Sequence, residues 1–181
     1  MEDEMVSAEE YQRAWESWGG SLSIPIDAWK SIFEAPEDSY PSVDSLPVSL
    51  SFLYRAFSER IDMYSRVDLR YHPEDEDGII PTVLLGTVPD EDDILYLFDT
   101  RSGSVIQIDL QDGIPETINS SLRAFVEFLY HFAIFAYADQ GAEGRSDRAR
   151  ELRSVLTRID PSAFLEADSW WSTTFRGLES A

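Results

Sequence analysis

The sequence predicts an α+β fold, with a central, mostly antiparallel sheet at about residues 60–110 flanked by N-terminal and C-terminal helices. Three observations carry this expectation. Apolar residues recur at helical spacing over residues 6–18 and again from Leu122 onward. Between these stretches the period falls to two, as where Val67, Leu69 and Tyr71 alternate with Asp68 and Arg70. The extended runs follow one another through short turns, with no crossover helix of the kind a parallel sheet needs. One domain over residues 1–181 is expected, since a chain of this length buries enough surface to fold without a staple.

Taken in order, Tyr11, Ala14, Trp15 and Trp18 form the apolar stripe of the first helix, and Gly19-Gly20 stops it. Pro25 and Asp27 open a short helical turn carrying Trp29, Ile32 and Phe33. Residues 35–47, rich in Pro, Ser and Asp, read as a loop. Leu50, Leu53, Tyr54 and Phe57 predict a further helix after Pro47. The strand at Val67–Tyr71 is followed by the charged turn 73–78 and a second strand over Ile79–Leu85, in which Pro81 suggests an edge or a bulge. Pro89 to Asp93 reads as an acidic turn. Ile94 to Phe98 is apolar at every position, the mark of a central strand covered on both faces. Asp99 to Gly103 is a hairpin loop with glycine where positive φ is needed, and Val105 to Asp109 is the returning strand. Asn119 or Ser120 caps a helix whose wide apolar face holds Leu122, Phe125, Val126, Leu129 and Phe132. After a glycine-containing break at 140–146 comes an arginine-rich helix. Asp160-Pro161 then opens a last short helix, with Phe164, Trp170, Trp171 and Phe175 following.

Charge is the dominant compositional fact. Thirty-five acidic residues face 14 basic ones, a formal net charge of −21, and Lys30 is the only lysine. Such a surface repels nucleic acid and anionic lipid and attracts basic proteins. The plainer reading is that acidity serves solubility alone. There is no cysteine, which removes disulfides, thiolate zinc sites and a cysteine nucleophile together. The first ten residues lack the basic-then-apolar order of a signal peptide, and no apolar run reaches membrane-spanning length. A soluble, cytoplasmic protein, monomeric or weakly self-associating, is therefore expected.

Residues able to carry chemistry do not assemble into a recognisable motif. An EF-hand with Gly78 at its sixth position would begin at Pro73 and end at Leu84, neither of which is a ligand of the required kind. A looser cation site at Asp90, Glu91, Asp92 and Asp93 is outweighed by the ordinary solvated acidic turn. His72 reads as exposed, and His131 as a hydrogen-bonded core histidine. Nucleophile-elbow, phosphate-loop, dinucleotide and zinc-protease motifs are absent. The arginines at 145, 148, 150, 153 and 158 are interrupted by Asp147 and Glu151 and read as partners for neighbouring acids rather than a nucleic-acid patch. No catalytic residue, metal or cofactor is expected. Partner binding is expected at the acidic turns, Glu74, Asp75, Glu76 and Asp77 together with Asp90, Glu91, Asp92 and Asp93. Trp171, one of two adjacent tryptophans pointing about 100° apart on a helix, is taken as the aromatic anchor.

Several of these runs carry a resemblance. Leu84-Leu-Gly86, Ile94-Leu-Tyr-Leu-Phe-Asp99, Gly103-Ser-Val-Ile-Gln-Ile-Asp109, Ile118-Asn-Ser-Ser-Leu-Arg-Ala-Phe125, Ile159-Asp-Pro and Trp170-Trp171 occur in the order seen in the SUKH superfamily. The chain is closest in pattern to the subgroup of bacterial immunity proteins, over residues 79–175. The resemblance implies helices packed on a mixed, mostly antiparallel sheet. It implies neutralisation of a cognate toxin, often a nuclease or nucleic-acid deaminase, in the cytoplasm of a cell with a polymorphic toxin system. It brings no catalytic residues. The alternative is a regulatory or scaffold domain of the same fold with a non-toxin partner.

Overall fold

The computed structural model describes residues 6–70, 78–139, 141 and 143–180. The first helix, α1 (Ala8–Glu16), begins at a reciprocal cap. The Ser7 hydroxyl accepts from the Glu10 N–H at 3.4 Å, and the Glu10 carboxylate accepts from the Ser7 N–H at 2.8 Å. Its buried face holds Tyr11 and Trp15, and Gly19 and Gly20 at φ +89° and +93° end the run. Strand β1 (Ser21–Ser23) pairs antiparallel with β2 (Ser45–Pro47), and between them stand helix α2 (Ile26–Ile32) and a 3-10 turn at Glu37–Ser39. The predicted loop at 35–47 thus contains a turn of helix and a short strand.

The helix expected at Leu50–Phe57 is instead a tight hairpin, β3 (Ser49–Leu50) and β4 (Tyr54–Arg55). Leu50, Leu53 and Tyr54 are buried as the spacing requires, but Ser51 sits at φ +49° and turns the chain back. Sheet pairing outweighs the helical period here. Arg55 pairs with Thr87, and the Tyr54 hydroxyl donates to the Leu85 carbonyl at 2.6 Å. Gly86 makes room for this arrangement, since a Cβ there would lie 2.5 Å from the Tyr54 ring and 2.6 Å from the Arg55 carbonyl oxygen.

The main sheet has seven strands among the described residues, all paired antiparallel. After β3 and β4 come β5 (Arg66–Arg70), β6 (Ile79–Val88), β7 (Glu91–Asp99), β8 (Val105–Asp109) and β9 (Pro115–Asn119). On one side β6 pairs with both β5 and β4; on the other it begins the succession β6-β7-β8-β9. Pro81 pairs with Asp68 of β5 but lies just beyond the β7 register, which starts at Thr82, so its missing N–H costs no ladder bond there. The acidic run Pro89–Asp93 is less turn than expected: only Pro89 and Asp90 form the turn, and Glu91 onward is strand. Strand β9 has no counterpart among the predicted elements. The helix cap accordingly falls on Ser121, whose hydroxyl accepts from the Ala124 N–H at 3.0 Å.

The continuous apolar run in β7 is explained by burial on both faces. Tyr96 and Phe98 point to the larger core, where they meet Phe125 and Trp29, while Leu95 and Leu97 join Leu69, Leu84, Ile106 and Ile108 on the opposite face. The larger core is roofed by α3 (Leu122–Ala138), α4 (Arg145–Ile159), a 3-10 turn at Pro161–Phe164 and α5 (Trp170–Glu179). Among the described residues no helix is long and apolar enough to cross a membrane.

Candidate partner-binding edge

Antiparallel pairing brings two turns to one end of the sheet. The β6–β7 turn, Pro89-Asp90, lies beside the β8–β9 loop, because Ile94 pairs with Asp109. Proline presets φ at the first turn position, and Asp90 takes φ +64° at the second, a conformation aspartate tolerates better than most side chains. The loops are stitched together by the Leu110 N–H donating to the Asp93 carbonyl at 2.9 Å and the Gln111 amide donating to the Asp93 carboxylate at 3.2 Å. The β3–β4 hairpin reaches the same end through Arg55.

Six carboxylates gather there: Asp90, Glu91, Asp92, Asp93, Asp109 and Asp112. Two guanidiniums answer them. Arg55 holds Asp92 at 2.7 Å, and Arg60 holds Asp93 at 2.5 Å. These two aspartates are more than two-thirds covered, whereas Asp90, Glu91 and Asp112 are exposed. The division of labour is physical: the inner pair fixes the turn, and the outer carboxylates project an unneutralised field. Apolar side chains are exposed beside them. Phe57 lies under the Arg55 guanidinium at 5.2 Å, and Leu110 and Ile114 are 40% and 70% exposed on the neighbouring loop. A recess of about 250 Å³ opens between Arg60, Asp93, Asp109 and Gln111.

Asp90 to Asp93 lie side by side at this edge, with Asp109 and Asp112 added by sheet register that spacing alone does not reveal. Glu74, Asp75, Glu76 and Asp77 lie outside the described residues, as does His72. The residues flanking that stretch, Arg70 and Ile79, pair with one another at the opposite end of β6 from Val88, about 30 Å away.

Trp171 is a correction. It is wholly buried, packed edge-on against Phe128 at 4.9 Å, and its indole N–H donates to the Asn119 side-chain oxygen at 3.1 Å. The Asn119 amide in turn donates to Asp160 at 3.2 Å, and the same carboxylate accepts from the Ser120 N–H at 2.7 Å. Trp171 thus anchors α5 to the sheet and offers no surface to a partner. Its neighbour Trp170 is half-buried.

One cluster of groups with shifted pKa values lies away from the edge, between α1 and α3. The Tyr11 hydroxyl donates to Glu127, and burial raises the pKa of both; burial lowers the pKa of His131, whose Nε2 lies 3.9 Å from Glu127. These groups join α1 to α3. Among the described residues, no group of three His, Asp or Glu side chains is disposed to hold a metal ion. The arginine-rich helix is neutralised internally: Arg145 and Arg148 clamp Asp139 at 2.7 and 2.6 Å, Arg150 meets Asp147, and Arg153 meets Glu179.

A family model described as SUKH-4 immunity protein matches residues 46–177, from β2 to α5. The chain belongs to the SUKH-4 immunity protein family. Comparison with curated proteins gives no match, and comparison with solved structures gives none. In this SUKH-4 chain the runs that carried the resemblance prove architectural. Gly86 admits Tyr54, while Asn119, Asp160 and Trp171 form one buried polar network. The acidic edge lies within the matched span and, apart from Asp109, outside those runs, and immunity proteins act by binding a cognate toxin.

Proposed function

We propose that this protein neutralises a basic, nucleic-acid-acting toxin of a bacterial polymorphic toxin system, in the cytoplasm, by occlusion and without chemistry of its own. The observation that carries the reading is the sheet edge. Six carboxylates meet only two guanidiniums there, with Phe57, Leu110 and Ile114 exposed among them. An enzyme that acts on nucleic acid must present positive charge to phosphate, and a fixed acidic edge is complementary to that surface. The exposed apolar groups supply contacts that electrostatics alone does not.

The test is association of the purified chain with the toxin encoded beside it. Asp90→Asn, Glu91→Gln and Asp112→Asn together leave the Arg55–Asp92 and Arg60–Asp93 pairs intact. This variant should associate about tenfold more slowly at low salt, with a flatter dependence on ionic strength and a melting temperature no lower than that of the parent chain. An on-rate equal to that of the parent chain removes the edge from the interface.

A further inference from the structure

With Trp171 closed inside the core, the acidic edge lacks the anchor expected for it, and the end of the β3–β4 hairpin presents another. Phe57 is 47% exposed where the chain leaves β4, and it is the one aromatic ring among the exposed apolar residues of the edge. Its main chain is fixed on both sides. The Phe57 carbonyl accepts from the buried Thr87 hydroxyl at 2.6 Å, and the preceding Ala56 N–H donates to the Val48 carbonyl at 2.9 Å. Just beyond, the Ser58 hydroxyl accepts from the Arg60 and Ile61 N–H groups at 3.2 and 3.3 Å. The Arg55 guanidinium covers one face of the ring, 5.2 Å from its centroid, and is itself pinned to Asp92 at 2.7 Å. An aromatic side chain already held in place loses little freedom when a partner lands on it.

The surroundings decide what the ring receives. Asp92 is taken by Arg55 and Asp93 by Arg60, whereas Asp90, Glu91 and Asp112 are exposed and engage no cation among the described residues. An aliphatic side chain laid on the ring would strip water from neighbouring carboxylates and return nothing to them. A cationic side chain with an apolar stem meets both needs, its methylenes on the ring and its head toward the carboxylates. Arginine meets them best, because its planar guanidinium both stacks on an aromatic face and pairs with a carboxylate. The geometry points to Phe57, positioned by Arg55, as the anchor of the acidic edge, receiving an arginine side chain of the toxin on its open face. This inference rests on the reading of the edge as the toxin-binding surface and names the residue around which that surface closes. Arg55 is a positioning residue: it acts through the ring it covers and the aspartate it holds.

The test titrates the full chain with hexa-arginine at low salt, following affinity together with the ring-proton signals of Phe57, which should move. Phe57→Leu should weaken binding about threefold, and Phe57→Trp should restore it. Phe52→Leu is the control: Phe52 is as exposed, at 53%, but sits at the hairpin tip against Phe132, and its loss should leave affinity unchanged. Arg55→Lys keeps a charge for Asp92 but lays no flat group on the ring. It should weaken binding in the parent chain and cost nothing further in the Phe57→Leu chain. The proposal is overturned if Phe57→Leu binds hexa-arginine as the parent does, if Phe52→Leu weakens it equally, or if Arg55→Lys costs as much without the ring as with it. The edge reading is judged apart, by Asp90→Asn, Glu91→Gln and Asp112→Asn together. Affinity lost there but kept in Phe57→Leu sinks the anchor and spares the edge, whereas affinity kept there sinks the edge reading itself.

Discussion

Trp171 shows how one side chain can carry an element. Its indole N–H has a single acceptor, the Asn119 oxygen, in a site closed to solvent. Asn119 is in turn fixed by Asp160, whose carboxylate also takes the Ser120 N–H where the chain leaves β9 for α3. Three distant stretches of sequence thus meet in one polar chain within an apolar surround, where each missing partner leaves another group unsatisfied. Trp171→Phe keeps most of the packing but orphans the Asn119 oxygen, and Asp160→Ala orphans the Ser120 N–H and the Asn119 amide together. Each should lower unfolding free energy in urea by about 1–3 kcal/mol, with Asp160→Ala the larger loss. Near-additive losses in the double variant would mean the two groups do not belong to one network, because contacting members of a network couple. The sequence pattern exposes the tryptophan pair but not its burial. Adjacent helical positions face different ways, and which of the two turns inward depends on where Asn119 lies across the fold.

At the scale of elements, the β3–β4 hairpin is the instructive departure. Leu50, Leu53 and Tyr54 are spaced as a helix would space them, and they are buried as a helix would bury them. A three-residue turn places i and i+4 on paired strands, so the same apolar spacing serves either structure. What decides is a contact remote in sequence, the seat that Gly86 provides for Tyr54. Gly86→Ala should therefore cost about 1–3 kcal/mol in urea denaturation, although alanine is ordinarily tolerated in a strand. A stability equal to that of the parent chain would show that the hairpin can shift at little cost. The antiparallel strands from β5 to β8, α1 and α3 were legible because each follows its own period and is bounded by local turn chemistry. β9 was not, because Pro115-Glu-Thr-Ile-Asn119 is short, begins with proline and alternates weakly. The acidic edge was half legible for a related reason. The run Asp90–Asp93 is contiguous in sequence, whereas Asp109 and Asp112 join it only through the β7–β8 register.

For the whole molecule, the same charges act on folding and on association with opposite sign. A net −21 spread over 181 residues repels itself in the compact state, and that repulsion is weakened by salt. Between about 0.01 M and 0.15 M ionic strength the screening length falls from roughly 30 Å to roughly 8 Å, from about the length of β6 to a fraction of it. Over this interval long-range repulsion should collapse. Close ion pairs such as Arg55–Asp92 and the Arg145–Asp139–Arg148 clamp, partly covered and 2.6–2.7 Å in length, should be less affected. The melting temperature should consequently rise with sodium chloride across this window, while the toxin on-rate falls across the same window. A thermal scan at several salt concentrations, paired with stopped-flow association in the same buffers, reads both. A melting temperature that falls with salt would mean the internal pairs outweigh the self-repulsion. The excess carboxylates would then not be a cost that folding bears, and the argument that they are retained for a cationic partner would lose its thermodynamic footing.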